Sequence, residues 1–256
     1  LIALVALAAC SGLPDDPASA GSPSGRPSPH KTSGKTAHIV GFGDSIPAGG
    51  GGCDCEGFVD RYGRLTSENN GRVSEVHNFA VGGSTSADVV DQLGQTAVRD
   101  ALKRATTVLI MTGANDYNDA FDEASIGIDP QAVYPPVATV VQDNVTATIT
   151  KIRALNSKVH VVVLDYWAAQ SDGAVARRQY DVTTAAAASA CTASVNTALA
   201  VAARSAGATY VSTYTAFLGK DGSRDPTALL GADGDHPNAI GQELIAQTVA
   251  EVFPDG

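Results

Sequence analysis

The sequence predicts an α/β fold, a parallel sheet of five strands covered by helices on both faces. Three observations predict it. Short apolar runs alternate along the chain with longer segments of helical period. The short runs lack polar alternation, as strands covered on both faces do. The composition, 44% hydrophobic and 17% charged, is that of a globular chain and excludes disordered, collagen-like and coiled-coil classes. A length of 256 residues allows one domain and some excess.

Each element can be justified in order. Residues 38–43, an apolar run ending in turn residues, read as the first strand. Residues 57–69 place Phe58, Tyr62 and Leu65 on one face of a helix. Residues 72–79 read as the second strand. Ser86-Ala87-Asp88 opens a helix to residue 104, with Val89, Val90, Leu93, Val98 and Leu102 turned inward. Residues 107–111 are a buried strand. Residues 117–136 read as a long loop holding Asp119, Asp122, Glu123 and Asp129, either a cover over a site or a solvated connection. Residues 137–155 carry Val141, Val145, Ile149 and Ile152 at helical spacing. Residues 158–164 give the strongest strand, 175–205 a helix, 208–212 a fifth strand and 238–252 a last amphipathic helix. Right-handed crossovers then place helices on each face. Ligands in such sheets bind beyond the carboxyl ends of the strands, so chemistry is expected there.

The first 36 residues stand apart. Residues 1–9 are apolar, but nine residues span only about 14 Å as a helix against a hydrocarbon core of about 30 Å. They match the apolar core of an export signal. Leu7-Ala8-Ala9-Cys10, followed by Ser11-Gly12, resembles a bacterial lipobox. That resemblance implies lipidation of Cys10, after a signal remnant over residues 1–10. Residues 11–36 are rich in Ser, Pro and Gly and read as a disordered tether. Residues 37–256 form the remaining domain. The tether region carries Arg26, Lys31 and Lys35 against Asp15 and Asp16, so the net charge of −10 becomes −11 over the domain. Such a surface repels phosphate backbones, and no nucleic-acid partner is expected.

Four fragments fall at the expected edge. They are Gly43-Asp44-Ser45 after the first strand, Asn78-Phe79-Ala80-Val81-Gly82-Gly83 after the second, Gly113-Ala114-Asn115-Asp116 after the third, and Asp233-Gly234-Asp235-His236-Pro237 before the last helix. Each alone is weak; together and in this order they are specific. The arrangement resembles the SGNH, or GDSL-type, hydrolase superfamily over residues 38–253, with Ser45, Gly83, Asn115 and His236 at its hallmark positions. The resemblance implies a flavodoxin-like three-layer α/β/α sandwich and ester hydrolysis through a covalent acyl-enzyme.

The same residues make chemical sense. An ester-cleaving serine needs a base, and His236 suits that task best. His30 lies in the tether, and His38, His77 and His160 fall in or at strands. A base histidine needs a carboxylate to fix its tautomer. Asp233, three residues earlier, can reach Nδ1 through one tight turn, whereas Asp235 would have to fold back sharply. The resemblance assigns the oxyanion donors as the backbone N–H groups of Ser45 and Gly83 and the side-chain amide of Asn115. Asp44 and Asp116 are expected to hold loops. Tyr166 and Trp167, at the end of the fourth strand, are candidates for a substrate wall, with ordinary packing as the alternative.

Several motifs are missing. No Gly-x-Ser-x-Gly occurs; Ile46 stands where a dinucleotide loop needs Gly; there is no His-Glu-x-x-His. No cofactor or metal is implied. Setting Cys10 aside, Cys53, Cys55 and Cys191 leave one disulfide and one thiol, with Cys191 favoured as a partner for one of the other two. The expectation is a monomeric serine esterase, exported and lipid-anchored at the outer face of a bacterial membrane or secreted. It would act on a small-molecule or polysaccharide ester. The alternatives are a glycan-binding surface lipoprotein with little turnover and an acyltransferase on the same scaffold.

Overall fold

The structure, a computed structural model, describes residues 36–253. The expected signal remnant, the lipidated Cys10 and nearly all of the tether lie outside the described residues.

Five strands make one parallel sheet: β1 (Ala37–Gly43), β2 (Ser74–Asn78), β3 (Thr107–Met111), β4 (His160–Leu164) and β5 (Thr209–Val211), in the order β2-β1-β3-β4-β5. Between and after them run α1 (Phe58–Asn70), α2 (Ser86–Gln92), α3 (Thr96–Arg104), α4 (Asn118–Ser125), α5 (Pro130–Leu155), α6 (Gly173–Gln179), α7 (Val182–Ser205), α8 (Thr213–Leu218) and α9 (Ala239–Val252). The expected α/β/α architecture is present. The step from β1 to β2 runs one way along the sheet, and every later step runs the other way. With right-handed crossovers, α1 therefore lies on one face and α2, α3, α5 and α7 on the other. The last helix, α9, packs against α1, while α5 packs against α2 and α7. The reversal opens a crevice at the carboxyl ends of β1 and β3, where such sheets place their ligands.

The strands are apolar because both faces are covered. All of β3 is buried, and in β4 only His160 is exposed. Ile39, Val40, Phe42, Val108, Leu109, Ile110, Val162, Val163 and Leu164 are fully buried. The helix α7 is long and apolar enough to cross a membrane, but it is a core helix here. Ala187, Cys191, Val195, Ala198, Leu199, Ala202 and Ala203 are buried against its neighbours.

Four boundaries differ from the sequence reading. The helix expected over 86–104 is two helices, because Leu93-Gly94-Gln95 makes a turn in which the Gly94 N–H returns to the Asp91 carbonyl. The helix over 175–205 is also two, because Asp181 caps α7 by accepting from the Thr184 N–H at 2.8 Å. The long loop over 117–136 is mostly helical, forming α4 and the first turns of α5. Proline in a helix interior costs about 3 kcal/mol. α5 nonetheless runs through Pro135 and Pro136, with Asp129 capping its start and Tyr134 buried beneath. Finally, α8 lies in a stretch to which the sequence reading assigns no element; Ser212 caps it by accepting from the Thr215 N–H.

The cysteine pairing is corrected. Cys53 is bonded to Cys55, and Cys191 is a free, buried thiol. The ring so closed holds only Asp54 between the two cysteines. Cys191 is buried in the core on α7; burial pushes its thiol up to about 12, against a lowering hydrogen bond with Gln170.

Candidate active site

The nucleophile candidate sits on a turn whose shape is set by a glycine. Gly43 ends β1 with φ +134°, and a Cβ there would lie 1.7 Å from the Met111 carbonyl oxygen. The Asp44 N–H donates to that carbonyl at 3.2 Å, so the chain turns directly off the sheet. The turn is closed from below by the Ile46 N–H, which donates to Asp44 Oδ1 at 3.1 Å. From the side, Asn78 Nδ2 donates to the Pro47 carbonyl at 2.7 Å. Ser45 is thereby raised over the crevice.

The turn before α9 carries the candidate base, His236. Asp233 Oδ1 accepts from the N–H groups of Asp235 and His236 at 3.0 and 3.1 Å, an Asx turn that presents the histidine. Asp233 Oδ2 lies 2.8 Å from His236 Nδ1, and His236 Nε2 lies 2.8 Å from Ser45 Oγ. Asp235 comes no closer than 3.7 Å to Nδ1. Geometry therefore selects Asp233 over Asp235. Burial works against the charge on Asp233, but the Asp235 N–H, the His236 ring and the His236 N–H outweigh it and hold the carboxyl below its ordinary value.

The third and fourth sides come from the turns after β2 and β3. Gly83 has φ +80°, and a Cβ there would meet no protein atom within 4 Å, so backbone conformation and not crowding demands glycine. Asn115 Nδ2 donates to the Ser84 carbonyl at 2.9 Å. One amide hydrogen is spent on holding the side chain, and the second is left for an acceptor in the crevice. Asp116 accepts from the Ser86 N–H at 2.8 Å and from Ser86 Oγ at 2.6 Å, tying the two turns together. Thr85 and Asp88 form a capping box at the start of α2. Thus Ser45, Gly83, Asn115, Asp233 and His236 all converge on one edge of the sheet.

Gly83 and Asn115 open onto a cleft of about 580 Å³, lined further by Thr85, Asp119, Pro136, Val137 and Val140. Asp119 and Pro136 belong to the stretch 117–136 read as a possible cover; sequence reasoning missed Val137 and Val140, whose helical stretch signalled only a core helix. It also missed Gly51. That residue has φ +83°, and a Cβ there would lie 2.4–2.7 Å from the His236 ring. A Cβ at Gly52 would lie 2.1 Å from the Pro237 carbonyl oxygen. The glycine stretch leading into the Cys53–Cys55 disulfide therefore packs against the His236 turn.

Tyr166 and Trp167 are not an open substrate wall. Tyr166 is fully buried and donates its hydroxyl to Asp44 Oδ2. Trp167 is 1% exposed and stacks on Phe217 with ring centroids 4.2 Å apart. Their position just beyond β4 carries them under the site, where apolar ring surface is sheltered from water. Trp167 does border a second cavity of about 400 Å³ with Tyr180, Tyr214, Arg177 and Arg224, away from Ser45.

Fold and site together define an ester-hydrolysing enzyme of the α/β class. The chain belongs to the GDSL-like lipase/acylhydrolase family, whose model matches residues 42–244. No curated protein matches the chain significantly. The fold is similar to that of the lipase Lip_vut3 from a goat rumen metagenome, at 20% identity and TM-score 0.66, covering 85% of this chain and 97% of that one. It is also similar to phospholipase A1 from Streptomyces albidoflavus NA297, at 18% identity and TM-score 0.61, covering 83% and 98%. A third similar structure is a catalytic mutant of Axe2, an acetylxylan esterase from Geobacillus stearothermophilus, at 18% identity and TM-score 0.60, covering 86% and 94%.

Proposed function

We propose that the protein is an extracytoplasmic carboxylesterase that hydrolyses short- to medium-chain acyl or O-acetyl esters through a Ser45–His236–Asp233 triad. One observation carries this reading: Asp233, His236 and Ser45 form an unbroken hydrogen-bonded line with 2.8 Å at each link. With Nδ1–H given to Asp233, Nε2 is the acceptor for the Ser45 proton. Ser45 Oγ attacks the ester carbonyl carbon, and the carbonyl π electrons move onto oxygen. The N–H groups of Ser45 and Gly83 and the Asn115 amide meet that oxyanion. Losing one such donor typically costs about 2.7–4 kcal/mol in the transition state. His236 then returns the proton to the leaving alcohol oxygen as the C–O bond breaks. Water repeats the sequence on the acyl-enzyme and releases the acid.

The substrate class is supported by the open cleft beside Gly83 and Asn115, roomy enough for a small acyl group. It is also supported by the lipase, phospholipase and acetylxylan esterase activities named for the similar structures. Export and anchoring rest on residues 1–12, with Cys10 as the lipid site.

The test is hydrolysis of nitrophenyl esters of graded acyl length and of acetylated glycans, with Ser45→Ala as control. A sulfonyl fluoride should label the wild type once and the variant not at all. Equal turnover by Ser45→Ala overturns the mechanism. Labelling without hydrolysis of any ester would favour acyl transfer or binding instead. Radiolabelled palmitate incorporation lost in Cys10→Ser checks the anchor.

A further inference from the structure

Asp44 is a carboxylate buried directly behind the nucleophile, 2% exposed, with no part in the proton relay. Burying such a group is costly unless it is well bonded. Its partners span three strand ends. Oδ1 accepts from the Ile46 N–H inside the nucleophile turn after β1. Oδ2 accepts from the hydroxyl of Tyr166, just beyond β4. The Tyr166 oxygen in turn lies 3.5 Å from the Ala114 N–H, next to Asn115 in the turn after β3. Tyr166 is itself clamped at both backbone groups by one side chain: its N–H donates to Asn196 Oδ1 at 3.0 Å, and its carbonyl accepts from Asn196 Nδ2 at 2.7 Å. A fixed strut therefore runs from α7 through Tyr166 to both the Ser45 turn and the Asn115 turn.

The geometry points to Tyr166 as a positioning residue for ester hydrolysis, acting through Asp44 to fix the nucleophile turn against the oxyanion turn. The inference rests on the triad reading of Ser45. Nucleophile and oxyanion donors must hold a common carbonyl, and misplacement of about 1 Å can cost about 100-fold in rate. Charged or titratable groups facing Asp44 are Asp235 and His236 on the turn before α9, and Tyr166 itself; Asp116 faces Tyr166 from the other side. Burial, and above about pH 6 the Asp44 charge, keep the tyrosine protonated, so it is the donor to the ionised carboxylate.

The experiment is steady-state hydrolysis of nitrophenyl acetate by wild type, Tyr166→Phe, Asp44→Asn and the double variant, from pH 4 to 9. Tyr166→Phe removes one oxygen and keeps the ring that packs the core. The expected result is a fall in kcat of about 10- to 100-fold with KM within about twofold. The acidic limb of the profile should move to higher pH, because Asp44 loses a donor that favours its ionised form. The double variant should be no worse than the poorer single variant, since both residues form one strut. An unchanged kcat with a lowered melting temperature overturns the proposal, as does multiplication of the two single losses. Circular dichroism of each variant identifies a misfolded one. Asp44→Asn retains the Ile46 bond, so it still tests the strut if Tyr166→Phe does not fold. Ser45→Ala in the same assay keeps the two readings apart. Retained activity there would remove the triad, whatever Tyr166 does.

Discussion

A single backbone atom sets how far the base can move. Gly51 faces the His236 ring with no room for a methyl group. Gly51→Ala should push the imidazole off Ser45 and lower kcat by about 10- to 100-fold, while adding about 1 kcal/mol of backbone strain from the positive φ. Nitrophenyl acetate kinetics beside a urea melt separates the two effects. Asp44 makes a second prediction at this scale. Burial raises its pKa from 3.8 to about 6, against the lowering bonds from Tyr166 and Ile46. Between those values the folded chain holds a proton that the unfolded chain has lost. Stability therefore falls as pH rises through that window, by at most about 3 kcal/mol. The effect is absent below the unfolded value and complete above 6. Asp44→Asn should gain stability relative to wild type between pH 4 and 7, read from urea midpoints. Asp233 has the opposite sign: its stabilising share is present above its ordinary pKa and is lost as pH falls.

Among the elements, α5 shapes one wall of the cleft while violating its own propensity. Neither Pro135 nor Pro136 can donate within the helix, so the Gln131 and Ala132 carbonyls lose their usual helical partners. Pro136→Ala should raise the melting temperature by a few degrees, equivalent to about 1 kcal/mol. It should also alter chain-length preference, since Pro136 lines the cleft. Calorimetry with the graded nitrophenyl esters checks both. This helix also shows where sequence reading ran out. Its apolar residues at 141, 145, 149 and 152 gave the period, but the turns before Val137 hold only Tyr134 as a deeply buried anchor. The five strands were legible because both their faces are covered, which leaves unbroken apolar runs. The breaks at Gly94 and Asp181 were hidden because the apolar spacing continues across them. Ser45, Gly83, Asn115, Asp233 and His236 stand out because each lies in a turn composed of Gly, Asp or Asn at a strand or helix end. Gly51 did not stand out; Asp44 was expected to hold its loop, as its bond from the Ile46 N–H does, and Tyr166 was a substrate-wall candidate, but the pairing of the two was not legible. Their roles exist only through contacts between residues 185 and 122 positions apart in the chain.

Over the whole molecule, charge decides what approaches. The chain carries a net −10, and Asp116 and Asp119 line the cleft beside Gly83 and Asn115. An anionic acyl ester such as nitrophenyl succinate should react several-fold more slowly than the butyrate at low salt. The gap should narrow near 1 M salt, where the screening length falls from about 10 Å to about 3 Å. A salt-independent ratio would show that the field does not reach the ester.

The bond between Ser45 and His236 joins residues 191 positions apart. Nearly every strand and helix must be in place before that bond can close. Such long-range contacts are slow to form, because loop entropy must be overcome before they contribute. Esterase activity is thus a built-in reporter of complete folding. In refolding from urea, backbone circular dichroism should recover before turnover does, and the interval between the two measures how late the catalytic edge assembles.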